Sequence, residues 1–107
     1  MATSMETWEM NGAKDIASRA STPASVLHRL SLHTNMQVRM AVADNENTGV
    51  HTSMHLAQDG SADLRYALAE NHHIDGRILD FLAKDTNPFV AYRAQKTISR
   101  LGKAAQN

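Results

Sequence analysis

Apolar residues recur along this chain at the spacing of short helices. Val38, Ala41 and Val42 lie three and four residues apart, and the same spacing returns further along the chain. Such spacing lines one face of an α-helix. The predicted helices span only about two turns each, and helices of that length are marginal in water on their own. They must therefore pack against one another to be stable.

The apolar pattern repeats with a period of 26 residues and needs no gap. Segments that begin at Thr22, Thr48 and Ile74 align column by column. The best columns are Leu30, Leu56 and Leu82; Val38, Leu64 and Val90; Val42, Leu68 and Ala94; and Met40, Tyr66 and Tyr92. Each segment predicts a pair of helices whose apolar face is too large to bury alone, so that stacking of neighbours completes the core.

Cap and turn residues divide each segment into its two helices. Asn35, Ser61 and Asn87 occupy one column before the second helix, where their side chains suit the N-cap. Pro23 and Pro88 suit the first helical turn, because that turn needs no backbone donor from them. The fold class predicted from these signals is all-α, with about three helical-pair units in one domain.

The segment before Thr22 matches the second half of a unit, since Ala17 lies 26 residues before Ala43. It is predicted to be an N-terminal capping helix, with Met5 and Trp8 covering the open end of the core. The predicted organisation of the single domain 1–107 is a cap at 5–21, units at 22–47, 48–73 and 74–103, the last with a longer terminal helix, and disorder at 1–4 and 104–107.

The segments 38–45 and 64–71, with sequences VRMAVADN and LRYALAEN, resemble the leucine-rich repeat variant family and are similar to HEAT-like repeats. The resemblance covers residues 22–101. It implies a right-handed α-solenoid in which α-helices alternate with shorter helices.

The resemblance also implies an Asp and an Arg, six residues apart, that tie successive units together. Asp59 and Arg65 have that spacing, whereas His33 replaces the acid before Arg39 and Ala91 replaces the base. A ladder of such pairs is therefore expected to be interrupted at both ends. The iron–sulfur cluster that some variant-repeat proteins carry cannot be present, because the chain has no cysteine.

The composition of the chain excludes or disfavours several kinds of function. The 11 basic and 11 acidic residues balance, so no overall basic field favours nucleic acid. The absence of cysteine excludes disulfides and thiolate metal sites. No apolar run reaches the roughly 20 residues that cross a bilayer, and the first ten residues lack a signal pattern. We expect a cytoplasmic protein that does not engage membranes.

No arrangement of residues predicts catalysis, a cofactor or a metal ion. His51 and His55 lie one helical turn apart, but Ser25, Arg77 and other residues in the neighbouring columns are poor third ligands for zinc. The glycines are scattered singly, so no phosphate-binding loop is present. The chain is predicted not to be an enzyme.

The column that contains two tyrosines is the candidate binding surface. It lies beside the apolar stripe of the second helices, and arginines flank it. Arginine, tyrosine and methionine are enriched at protein interfaces; alternatively, these side chains pack between units as part of the core. The predicted partner-binding residues are Arg39, Met40, Arg65, Tyr66, Tyr92 and Arg93.

The predicted partner is another protein. One alternative is nucleic acid, held by the same arginines and the basic last helix, although Asp44 and Glu70 beside the row oppose it. A second alternative is a homo-oligomer that covers the exposed ends of the stack.

Overall fold

The structure is a computed structural model that describes residues 12–106, with side chains described for 12–102. The predictions for Met5, Trp8 and the stretch 1–4 lie outside the described residues. Within them the chain is all-helical and contains no strand, as predicted. The helices are α1 at residues 12–18, α2 Ala24–Leu30, α3 Met36–Asp44, α4 Val50–Leu56, α5 Ala62–Glu70, α6 Gly76–Leu82 and α7 Pro88–Gln106.

The starts of α3, α5 and α7 are fixed by side-chain caps. Asn35 accepts backbone N–H groups two and three residues ahead, Ser61 accepts that of Leu64, and Asn87 repeats the Asn35 arrangement. Each cap satisfies donors that have no partner inside the helix. The predicted cap column is confirmed.

The ends of these helices differ at one matched column. Asn45 and Asn71 leave the helix in an extended conformation and end α3 and α5. The Asn45 side chain donates to the carbonyl oxygen of Ala17 at 2.9 Å. In α7 the matching residue is Thr97, which stays helical and donates its hydroxyl to the Ala69 carbonyl. The helix therefore continues to Gln106, three residues into the stretch 104–107 that was predicted to be disordered.

The helices pack in a regular order. The middle helix α5 lies between α3 and α7, while α4 contacts α6 and α6 contacts α7. Leu56 and Leu82 are fully buried, and Leu30 is partly buried against the same core. Burying a leucine contributes roughly 2 kcal/mol. The residues of two further predicted columns are also fully buried: Val38, Leu64 and Val90, with Val42, Leu68 and Ala94.

One further kind of hydrogen bond is found twice, at positions 26 residues apart. The hydroxyl of Thr22 donates to the carbonyl of Ile16, and that of Thr48 donates to the carbonyl of Val42. The second pair of residues is the first pair moved along by one period. α1 therefore contacts the turn after it in the same way as α3 does, and Ala17 is fully buried like its counterparts. No helix among residues 12–106 is long and apolar enough to cross a membrane.

Candidate interaction surface

Two arginines bind aspartates of the following segment in the same geometry. Arg39 binds Asp59 through two bonds, Nε to Oδ2 at 2.8 Å and Nη2 to Oδ1 at 3.3 Å. Arg65 binds Asp85 with the same atoms at 2.8 and 3.2 Å. These four residues are named the ladder. A bidentate arginine–carboxylate pair fixes orientation as well as distance, so each pair sets the register between successive segments.

Backbone groups complete the ladder. Arg39 Nη1 donates to the His33 carbonyl at 2.9 Å, and Arg65 Nη1 donates to the Asp59 carbonyl at 2.7 Å. The carboxylates of Asp59 and Asp85 also accept the backbone N–H two residues ahead. At the matching position His33 accepts the equivalent N–H with its Nδ1. A histidine can therefore replace the aspartate where no arginine has to be bound.

The ladder carboxylates are held ionised. Burial raises the pKa of Asp59, but hydrogen bonds from Arg39 and from the backbone N–H of Ser61 outweigh it and leave that pKa below its ordinary value. For Asp85, burial likewise raises the pKa, but hydrogen bonds from Arg65 and from the backbone N–H of Asn87 outweigh that effect and leave the pKa below its ordinary value. The two carboxylate side chains are only 11% and 7% exposed. Removal of either arginine would leave a nearly buried negative charge without its partner.

This geometry corrects the expected ladder. The resemblance placed each pair six residues apart, yet the side chains that pair are 20 residues apart. The six-residue relation survives as a bond from each arginine to a backbone carbonyl, from Arg65 to that of Asp59 and from Arg39 to that of His33. The expected interruption does not occur between 39 and 85, because Arg39 needs no acid at position 33 and Asp85 needs no base at position 91.

The six predicted binding residues are in four different environments. Arg39 and Arg65 are 19% and 15% exposed in their side chains and are bound to carboxylates, so their guanidinium groups are already occupied. Met40 is partly buried against the core. By contrast, Tyr66 is 37% exposed and Tyr92 is 61% exposed. Arg93, which lies beside Tyr92 on α7, has a buried Nε that no described residue hydrogen-bonds.

Exposed and partly exposed residues of α3, α5 and α7 occupy matched columns and form one surface, named the second-helix face. On α7 they follow the spacing of a single helical stripe, at positions 89, 92, 93 and 96. The face comprises Asp44 of α3; Asp63, Tyr66, Ala67 and Glu70 of α5; and Phe89, Tyr92, Arg93 and Lys96 of α7.

Exposed aromatic rings are the main apolar feature of this face. Phe89 is 75% exposed, the highest value among the large apolar residues of the described chain. The ammonium nitrogen of Lys96 lies 5.7 Å from the centre of the Tyr92 ring, within cation–π range. The six predicted binding residues did not include Phe89 or Lys96, although their spacing from Tyr92 places all three on one side of α7. That spacing was the available signal.

Charge on the face is divided between helices. Asp44 and Glu70 stand on α3 and α5, whereas Arg93 and Lys96 stand on α7. Within the described side chains none of these four forms an ion pair; the ion pairs found there are the two of the ladder and the exposed pairs Asp15–Arg19 and Asp75–Arg77. The face therefore offers both signs of charge to a partner, in separate places.

A groove of about 600 Å³ lies elsewhere, between the turn after α4 and the end of α6. Its wall includes the ladder residues Asp59, Arg65 and Asp85, whose charged groups are already paired within the ladder. Phe81, 44% exposed, and Lys84 border it. The groove offers one exposed aromatic ring, whereas Tyr66, Phe89 and Tyr92 are exposed on the second-helix face, so the groove is the weaker candidate.

Histidines and acidic residues do not gather into a metal site in the described part of the chain. His51 and His55 are both exposed, and His28 instead shares a hydrogen bond with the Thr52 hydroxyl at 2.8 Å.

The chemistry of the second-helix face suits contact with another surface that is both apolar and charged. Comparisons of the chain with protein-family models, with curated proteins and with solved structures find no match.

Proposed function

We propose that this protein is a non-enzymatic interaction module: a short right-handed α-solenoid of 26-residue units that binds another protein through its second-helix face. The cytoplasm remains the compartment that we expect. Different observations support the architecture and the binding surface.

Recurrence of contacts supports the architecture. The ladder pairs Arg39–Asp59 and Arg65–Asp85 differ only by one period, and they join successive segments. The cap bonds and the threonine hydroxyl bonds recur at the same interval. Contacts that repeat in register are expected of stacked units, in which each unit touches only its neighbours.

The proposal that the second-helix face binds a protein rests on aromatic side chains that are exposed beside charges without an ion-pair partner. Phe89, Tyr92 and Tyr66 leave much of their apolar area in water, although this small chain has few aromatic residues. Exposed aromatic patches bordered by polar groups are typical of protein interaction sites. The polar groups of the ladder, in contrast, are all bound within the chain.

Nucleic acid is the second candidate, and the basic side of α7 favours it. Arg93, Lys96 and Arg100 lie along one helix that has no acidic residue. However, Asp63 and Glu70 stand in the neighbouring row, where a phosphate backbone would be repelled. A gel shift at low salt distinguishes the two: retarded DNA or RNA would favour this candidate over a protein partner.

The test is quantitative affinity capture with matched variants. Wild-type protein should retain a partner protein that the double variant Tyr66→Ala, Tyr92→Ala loses by about tenfold or more, as expected when interface anchors are truncated. Phe81→Ala is the control, because Phe81 is an exposed aromatic outside the face. Arg65 is unsuitable as a probe, since its removal disturbs the ladder.

Circular dichroism should show equal helicity for all three proteins. If the face variant keeps its partner while the control behaves like wild type, the second-helix face is not the binding surface.

A further inference from the structure

We propose that the second-helix face binds a second copy of this chain, with the α7 of each copy lying over the α5 of the other. This inference rests on the proposed function, because it uses the same face and names its occupant. The partner is a symmetric dimer mate related by a two-fold axis that runs parallel to α5 and α7, between them.

The division of charge on the face identifies the occupant. A purely acidic partner would match Arg93 and Lys96 on α7 but would be repelled by Asp63 and Glu70 on α5. A basic partner would meet the opposite problem. A surface that matches both halves must itself carry an acidic half and a basic half, and this face does. An interface with a two-fold axis uses the same patch on both subunits.

Symmetry then selects one orientation. A two-fold axis perpendicular to the helices, in the plane of the interface and crossing α7, would place α7 over α7 and bring Lys96 and Arg93 against their own copies. An axis parallel to the helices and between α5 and α7 instead places basic α7 over acidic α5, twice. Helices related by that axis run in the same direction, so each residue keeps its height along the helix.

Matched columns make the contacts explicit. Glu70 and Lys96 occupy equivalent positions one period apart, so they lie at the same height on α5 and α7. In the dimer, Lys96 of each copy therefore faces Glu70 of the other. Tyr92 of each copy faces Tyr66 of the other by the same reasoning. This brings two exposed aromatic rings together on each side of the two-fold axis.

The position of Arg93 fits this arrangement. Its column partner on α5 is Ala67, a small residue, so the arginine of the opposing copy has room above α5. There it would lie between Asp63 and Glu70, neither of which forms an ion pair within the described chain. Its Nε is buried and finds no hydrogen-bond partner among the described residues of the single chain.

The experiment is a charge exchange followed by sedimentation equilibrium of the purified full chain. Wild type should be a dimer that dissociates on dilution. Lys96→Glu alone and Glu70→Lys alone should each raise the dimer dissociation constant by about tenfold or more, since each sets like charges face to face at two symmetric places. The double variant should return to within about threefold of wild type, because the exchanged charges attract again.

Lys84→Glu is the matched control, a charge reversal on an exposed lysine outside the face, and it should leave the dissociation constant unchanged. Three results would each overturn the inference: a wild-type monomer at high protein concentration, single reversals without effect, or a double variant that stays monomeric. Overturning it leaves the proposed function standing if the capture experiment still finds a different protein lost with Tyr66 and Tyr92. Loss of both results would remove the face as a binding site.

Discussion

The ladder and the second-helix face contain similar residue types, yet their side chains are used in opposite ways. In the ladder, Arg39 and Arg65 each bind a carboxylate that is almost buried. On the face, Arg93 and Lys96 form no ion pair with a described residue, and the aromatic rings beside them are open to solvent. One region holds the chain together, while the other is available to something else.

This difference teaches that a column of matched residues shows where each residue lies on its helix but not what its side chain contacts. Arg65 and Tyr66 are neighbours in sequence, and both belong to well-matched columns. The Arg65 side chain reaches Asp85, 20 residues ahead, whereas Tyr66 is 37% exposed. Mutations that separate stability from binding can therefore test the comparison directly.

The largest effect is expected for Arg65→Ala. Loss of the guanidinium strands the Asp85 carboxylate, which is 7% exposed, and should lower the free energy of unfolding by about 3 kcal/mol. Arg93→Ala, the matched change on the face, should lower it by less than about 0.5 kcal/mol. Urea denaturation followed by circular dichroism measures both. Equal losses for the two arginines would contradict the distinction between ladder and face.

Acid should weaken the ladder by a smaller amount. The pKa values of Asp59 and Asp85 lie below their ordinary value of 3.8 in the folded chain. Their stabilising contribution is therefore complete above the unfolded pKa and is lost as the pH falls through the lower, folded pKa. The free energy of unfolding, measured by urea denaturation at a series of pH values, should therefore decline as the pH falls below about 5 toward the folded pKa values of these two groups.

The double variant Asp59→Asn, Asp85→Asn tests the source of that decline. It should be less stable than wild type near neutral pH but should lose less additional stability on acidification. Asp80→Asn changes an exposed carboxylate outside the ladder and serves as the control. A pH dependence as steep in the ladder variant as in wild type would show that other carboxylates cause the acid sensitivity.

The smallest effect is expected for Phe89→Ser. Phe89 is 75% exposed, so its loss should change the free energy of unfolding of the dilute protein by less than about 0.5 kcal/mol. Thermal denaturation at low protein concentration measures this quantity. At high concentration, dimer formation would add to the melting temperature of wild type more than to that of the variant. A large loss in dilute solution would mean that Phe89 belongs to the packed interior.

Much of the helical fold could be predicted from the sequence. The column Asn35, Ser61 and Asn87 marked the starts of three helices, because a cap needs a short polar side chain at one defined place. The apolar columns marked the buried residues for a similar reason, since burial follows the helical period. Leu30, at the edge of the core, is less buried than Leu56 and Leu82 in the same column.

The use of the arginines could not be predicted, because it depends on which segments lie beside each other. Arg39 and Asp59 are 20 residues apart and meet only after α3 and the turn before α5 have packed. A long side chain can also turn toward solvent or toward a neighbouring turn, and spacing along one helix does not decide between them. The extension of α7 depends similarly on Thr97, whose hydroxyl finds the Ala69 carbonyl without ending the helix.

The ladder also has a consequence for the length of the protein. Residues 48–73 contain one ladder carboxylate, Asp59, and one ladder arginine, Arg65. If this block were duplicated in place, the original Arg65 would meet the new aspartate and the new arginine would meet Asp85. Insertion of whole 26-residue units would then leave every ladder carboxylate paired with an arginine. An insertion of any other length would change the 20-residue spacing between a ladder arginine and its aspartate and would break that pair.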